Sequence, residues 1–109
     1  MERPMHHEQG LIKEQAKIFK ALGHPSRLNM VTALQHGELC VCDLQALVGG
    51  DMSTTSRHLA VLREAGVVSS RKEGTTIYYK LELCCLGGFL NCTRAHLANK
   101  LAQSIKLMS

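Results

Sequence analysis

A mostly helical α+β fold, a winged helix-turn-helix, is what this sequence predicts, and three observations predict it. Two short segments of helical period meet across a break containing Gly49 and Gly50, the arrangement of a helix-turn-helix. After Gly66 the period becomes strand-like, in two β-branched, aromatic runs around a turn signal. A further helical pattern closes the chain. At 109 residues there is room for one domain.

The first ten residues are polar and read as a loose N-terminal arm, residues 1–10, ahead of a domain spanning 11–109. Leu11, Ile12, Ala16, Ile18, Phe19 and Leu22 then recur at helical steps, until Gly23 ends the helix. Pro25 suits a first helical position, and Leu28, Val31, Thr32 and Leu34 carry a second helix toward His36–Gly37. A short third helix is expected from Val41 to Val48. The fourth begins after Asp51, with Ser53 or Thr54 as its cap, and carries Leu59, Val61 and Leu62 to Ala65–Gly66. "VVSSRK" and "TTIYYKL" flank "EG" as a hairpin whose tip, Arg71 to Gly74, projects into solvent. Gly87–Gly88 should interrupt the chain before a last helix, from Phe89 to Leu107. Its apolar positions Leu90, Ala95, Leu97, Ala98, Leu101 and Ile105 suit a partner chain, and a core this thin invites dimerisation.

Hydrophobic residues make up 45% and charged residues 20%, a globular composition. No apolar run approaches the roughly 18 residues of a membrane span, and the N-terminus lacks the build of a secretory signal. The expected location is the cytoplasm, with no membrane partner. The net charge of +4 permits an anionic partner without proving one.

"MSTTSRHLAVLREAG" is polar at its start and apolar later. Ser53, Thr54, Thr55, Ser56, Arg57 and His58 crowd the opening turns, as in a recognition helix whose N-terminal end enters the major groove. Hydroxyls and backbone N–H groups hold phosphates there, while Arg57 or His58 reaches base edges. Arg71 and Lys72 would add a basic wing. The alternative is that the hydroxyls only cap a helix, Arg57 is solvated and His58 satisfies a local hydrogen bond.

"ALGHPSRLNMVTAL", "ELCVCDL", "STTSRHLAVLREAGVV" and "KEGTTIYYKL" resemble, in order and spacing, successive signature segments of the ArsR/SmtB family of metal-responsive repressors. The resemblance covers about Ile12 to Leu81. It implies a homodimer built on the first and last helices, binding a roughly palindromic duplex operator and releasing it when an inducer binds. It also places Thr54 to His58 in the recognition helix and Arg71 to Thr75 in the wing.

Five cysteines remain to be explained. An odd number in a reducing compartment is a poor disulfide framework and better suits metal or redox chemistry. Residues two apart on a regular helix point to nearly opposite sides, about 100° per step. Cys40 and Cys42 can share an ion only if Cys40 stays outside regular helical geometry. A helix N-terminus favours the thiolate, and thiolates suit a soft ion. The plain alternative is that both are small buried hydrophobes.

Against the family pattern, Gln45 stands where arsenic-sensing members often carry a third cysteine. The arm offers only His6 and His7 in place of the cysteines of cadmium- or lead-sensing members. His96 stands without the companions of a zinc site. Cys84, Cys85 and Cys92 are the obvious reserve for a third ligand. Either these three cluster where Gly87–Gly88 lets the chain fold back, or one reaches the Cys40/Cys42 pair, across the dimer or within the chain. Three sulfurs suit As(III) or Sb(III) better than zinc.

The expected function is a repressor without a permanent cofactor, released by arsenite or antimonite first, cadmium or lead second. A second reading keeps the fold and has the thiols sense persulfide or oxidant. A thiol enzyme or metal buffer is remote: there is no CxxC pair, no phosphate-binding glycine loop and no histidine arrangement that would serve a cysteine nucleophile.

Overall fold

The computed structural model describes residues 4–108, with side chains from Glu8 to Leu107. Residues 1–3, the opening of the expected arm, lie outside it, as do the side chains of His6 and His7. The elements run α1 (Pro4–Leu22), α2 (Pro25–Leu34), β1 (Leu39–Cys40), α3 (Val41–Val48), α4 (Met52–Glu64), β2 (Val68–Glu73), β3 (Thr76–Leu81) and α5 (Leu86–Met108).

Two starts differ from expectation. α1 begins at Pro4 rather than Leu11, so residues 4–10 are helical. Proline fits a first helical turn, and the Met-His-His-Glu-Gln run that follows holds no β-branched residue. Glu8, Gln9 and Gly10 are exposed in this helix. α5 begins at Leu86, so Gly87 and Gly88 lie inside its first turn. Leu86 is buried in the core and its N–H reaches the Leu83 carbonyl at 3.1 Å, anchoring the helix start despite two poor helix formers behind it.

β1 was not anticipated, being too short for any period. It completes a sheet of order β1-β3-β2. Both pairings are antiparallel: Leu39 lies opposite Tyr79 and Cys40 opposite Tyr78, while Ser70 faces Tyr79 and Arg71 faces Tyr78. Cys40, Tyr78 and Arg71 therefore form one row across three strands, on a single sheet face. The other face carries Tyr79, buried against the helices.

The core gathers Ala21 and Leu22 from α1, Met30, Val31 and Leu34 from α2, Leu44 from α3, Leu59 and Leu62 from α4, then Val67, Val68, Tyr79 and Leu86. α5 is different. From Asn91 to Leu107 every residue is exposed, including Leu97, Leu101 and Ile105. Leu11, Ile12 and Phe19 on α1 are likewise uncovered, and Phe19 meets Phe89 edge-on at 6.2 Å. Among the described residues no helix is long and apolar enough to cross a membrane.

The turn between α3 and α4 is set by Gly49 and Gly50, with φ of 74° and 79°. Two consecutive left-handed residues strongly favour glycine. Asp51 follows as the N-cap of α4, where Ser53 or Thr54 was expected: its carboxylate accepts from the Thr54 N–H at 2.7 Å. A residue in extended backbone can turn its side chain back onto the third amide, which residues already in the helix cannot do. That bond holds the Asp51 carboxyl below its usual range. The cap therefore stabilises above the ordinary aspartate pKa and is lost as pH falls through the lowered one. Asp51→Ala is expected to lower the melting temperature by a few degrees at neutral pH. Melts followed by circular dichroism should show the gap closing in acid.

Candidate nucleic-acid interface and thiol site

Helical spacing sorts the opening of α4 into two faces. Thr55, Leu59 and Leu62 share the inward stripe and are buried. Ser53, Thr54, Ser56 and Arg57 are exposed on the opposite side. Thr55 therefore does not join the polar face on which the sequence placed it. Its hydroxyl donates to the Asp51 carbonyl at 3.2 Å, which satisfies the group inside the fold. His58 also turns away: it is half-buried against the start of α2, its Nδ1 3.2 Å from Arg27 Nη1. The exposed set offers three hydroxyls and one guanidinium at a helix start, all suited to phosphate and base edges.

The wing is the β2–β3 hairpin, turned at Gly74 with φ of 63°. Lys72 is exposed near its tip. Arg71 is not a free cation. Its Nε and Nη2 fork onto the Glu38 carboxylate at 3.0–3.3 Å, its Nη1 reaches Glu73 at 2.6 Å, and its guanidinium lies 4.7 Å over the Tyr78 ring. The bond from Arg71 holds the Glu38 carboxyl below its usual range, and both carboxylates push the guanidinium further up. Arg71 is a strut that fastens the wing to the segment before β1. Glu38 stands 33 positions away, so no local pattern announces the pair.

All five cysteines are free thiols. Cys40 stays outside regular helical geometry. It is the N-cap of α3, with extended backbone (φ −77°, ψ 161°), and its sulfur accepts from the Asp43 N–H at 3.4 Å. Cys40 is half-buried and Cys42 exposed, so neither is the buried hydrophobe of the plain alternative. Cys84, Cys85 and Cys92 are exposed as well. Because Gly87 and Gly88 continue the helix, the chain does not fold back there. Among the described residues no group of three His, Cys, Asp or Glu side chains is placed to share an ion. The three-thiolate cluster imagined at the start of α5 is thus not formed. Cys85 instead opens on an apolar cleft between α1 and α5, lined by Ile18, Phe19, Leu86 and Phe89.

Helix-turn-helix, hairpin wing and flanking helices define the winged helix-turn-helix class. Residues 24–70 match the arsR family of bacterial regulatory proteins. The chain is 41% identical over 68 residues to a cadmium resistance regulatory protein CadC homologue of Staphylococcus aureus, covering 62% of this chain and 56% of that one. It is 44% identical over 66 residues to the arsenical resistance operon repressor of Escherichia coli, covering 60% and 56% respectively. Among solved structures it resembles the transcriptional repressor BigR of Xylella fastidiosa, with a TM-score of 0.67 and 32% identity over 83% of this chain and 92% of that one. It also resembles a homodimeric winged helix-turn-helix DNA-binding domain of Mycobacterium bovis, described as a possible ArsR-family regulator (TM-score 0.77, 28% identity, 84% and 89% covered). The chain belongs to the ArsR/SmtB family, a family of transcriptional regulators and not of thiol enzymes. It spans about half the length of the curated relatives it matches.

Proposed function

We propose that the chain is a dimeric repressor that grips duplex operator DNA through the exposed start of α4 and Lys72 of the wing, and releases it when its thiols take up a thiophilic ion. The observation that carries the DNA reading is the two-faced α4, whose inward stripe fixes the helix while Ser53, Thr54, Ser56 and Arg57 stand clear. The uncovered apolar faces of α1 and α5 support dimerisation, since the 23-residue α5 leaves Leu97, Leu101 and Ile105 exposed among the described residues, a stripe suited to a partner. The M. bovis relative is homodimeric.

The donor chemistry suits a soft ion: arsenite or antimonite first, then cadmium or lead, in keeping with the names of the two curated relatives. Cys40 and Cys42 would supply two sulfurs. A third has to come from Cys84, Cys85 or Cys92, of the same chain after rearrangement or of the partner protomer. Release is then a coupling between two sites. Whatever the inducer gains by favouring the loose conformation, DNA loses, and the operator weakens inducer binding by the same factor. The exposure of four of the five thiols, with Cys84 and Cys85 adjacent, favours a second reading in which persulfide or oxidant is the signal.

The test is fluorescence anisotropy of a duplex from the protein's own promoter, with reduced protein titrated by arsenite, antimonite and cadmium. Cys40→Ser and Cys42→Ser are each expected to keep operator binding and shift the release midpoint by at least about tenfold, one lost ligand. Release by tetrasulfide, reversed by reductant and with no bound ion, would select the second reading. Binding that no thiol reagent relieves would reject both.

A further inference from the structure

Where α2 begins, three side chains join α1, α2 and α4, and neither the operator face nor the thiols use them. His24 precedes α2 as its N-cap, and its Nδ1 accepts from the Ser26 N–H at 3.1 Å. Arg27 donates from Nε to the Ala21 carbonyl at the end of α1 (2.6 Å) and from Nη1 to His58 Nδ1 on α4 (3.2 Å). The two imidazoles lie 4.5 Å apart, tilted by 48°. A guanidinium and a backbone amide can only donate, so Nδ1 of each ring must carry a lone pair. A protonated imidazole has none.

We propose that His24, Arg27 and His58 form a proton-sensitive latch that positions α4, closed only while the His58 imidazole is neutral, so that acidification loosens the recognition helix and weakens operator binding. The consequence for DNA rests on the operator reading given above; the latch itself does not. His58 is faced by His24 and Arg27 from α2 and by Arg57 on its own helix. Lys17 and Lys20 of α1 and Glu64 of α4 line the adjoining cleft beside Arg27. Among the described residues no carboxylate is one of the charges acting on the His58 ring. Desolvation first, then the neighbouring His24, Arg27 and Arg57, push His58 below the ordinary histidine range. A group with a depressed folded pKa contributes fully above its unfolded value, about 6.5, and loses its contribution as pH falls through the lower folded value. The latch is therefore shut at neutral pH and opens in mild acid. This sign runs against generic electrostatics, because protonating histidines adds positive charge and should tighten binding to a polyanion.

The experiment uses the full chain and a duplex that it enriches from a random pool at about pH 8, with affinity followed by anisotropy at fixed salt. Affinity is expected to fall by up to about tenfold per pH unit for each latch below its titration. His58→Gln keeps an oxygen to accept from Arg27 but cannot titrate, so it should flatten the profile whatever its affinity at neutral pH. Amide hydrogen exchange reads the latch without DNA: protection across α4 should drop on acidification in the wild type and not in His58→Gln. A wild-type affinity that stays level or rises in acid overturns the proposal, as does a His58→Gln profile as steep as the wild type. Failure to enrich any duplex would sink the operator reading alone, and hydrogen exchange would then decide the latch, unchanged protection overturning it.

Discussion

Arg57→Ala is expected to weaken operator binding by about a hundredfold or more while leaving the fold intact. Arg57 is exposed on the outward face of α4, one turn beyond Ser53, and among the described residues no hydrogen bond or ion pair ties it into the chain. A guanidinium contact to a base edge or phosphate is worth about 1–3 kcal/mol, and a two-fold symmetric complex loses it twice. Anisotropy against the cognate duplex measures the loss. The salt dependence sorts its kind: a phosphate contact lowers the slope of log K against log salt by about one per protomer, whereas a base contact relaxes sequence preference instead. An unchanged affinity with an unchanged melt would remove Arg57 from the interface and with it the assignment of α4 as the reading element.

Leu59→Ala should act on stability. Leu59 is fully buried, between the inward-facing Thr55 and Leu62, in the cluster that also holds Met30, Val31 and Leu44. Truncation removes transfer free energy and leaves a cavity, together about 2–5 kcal/mol. For a chain of this size that lowers the melting temperature by roughly 10–20 °C, read by calorimetry at matched protein concentration because dimerisation is linked to folding. DNA binding should suffer only where the variant begins to unfold. A loss below about 1 kcal/mol would mean that α4 does not dock through this stripe.

Much of this architecture was legible because it repeats. α3 falls on the residues its pattern marks, Val41 to Val48, and the hairpin strands fall where β-branched residues cluster around the turn glycine. What escaped does not repeat. β1 has two residues, and two residues have no period. The first turns of α1 carry a single apolar residue, Met5, too few to show a period, and Gly87–Gly88 look like a break until the burial of Leu86 is known. Thr55 was misread because hydroxyls at a helix start suggest caps or DNA contacts. Its spacing from Leu59 and Leu62, four and seven residues, was nonetheless the sign of an inward position.

The candidate site follows the same division. Cys40 at a helix boundary can be inferred from where the helix must begin, and the polar start of α4 from its composition. Arg71 with Glu38, and Arg27 with His58, join residues 33 and 31 positions apart, so only the folded chain brings them together. Asp51 is the exception: an aspartate three residues ahead of Thr54, just after two glycines, carried the capping signal in plain view.

The row Cys40–Tyr78–Arg71 makes the hairpin a lever with its fulcrum beside the first thiol. A change of backbone at Cys40 would be passed across the strands to Tyr78 and to the guanidinium over its ring. The same guanidinium grips Glu38, two places upstream of the sulfur, so thiol and hairpin share one fastening. On the operator reading proposed above, a ligand at Cys40 would reach the wing through this fastening and not through the packed α4.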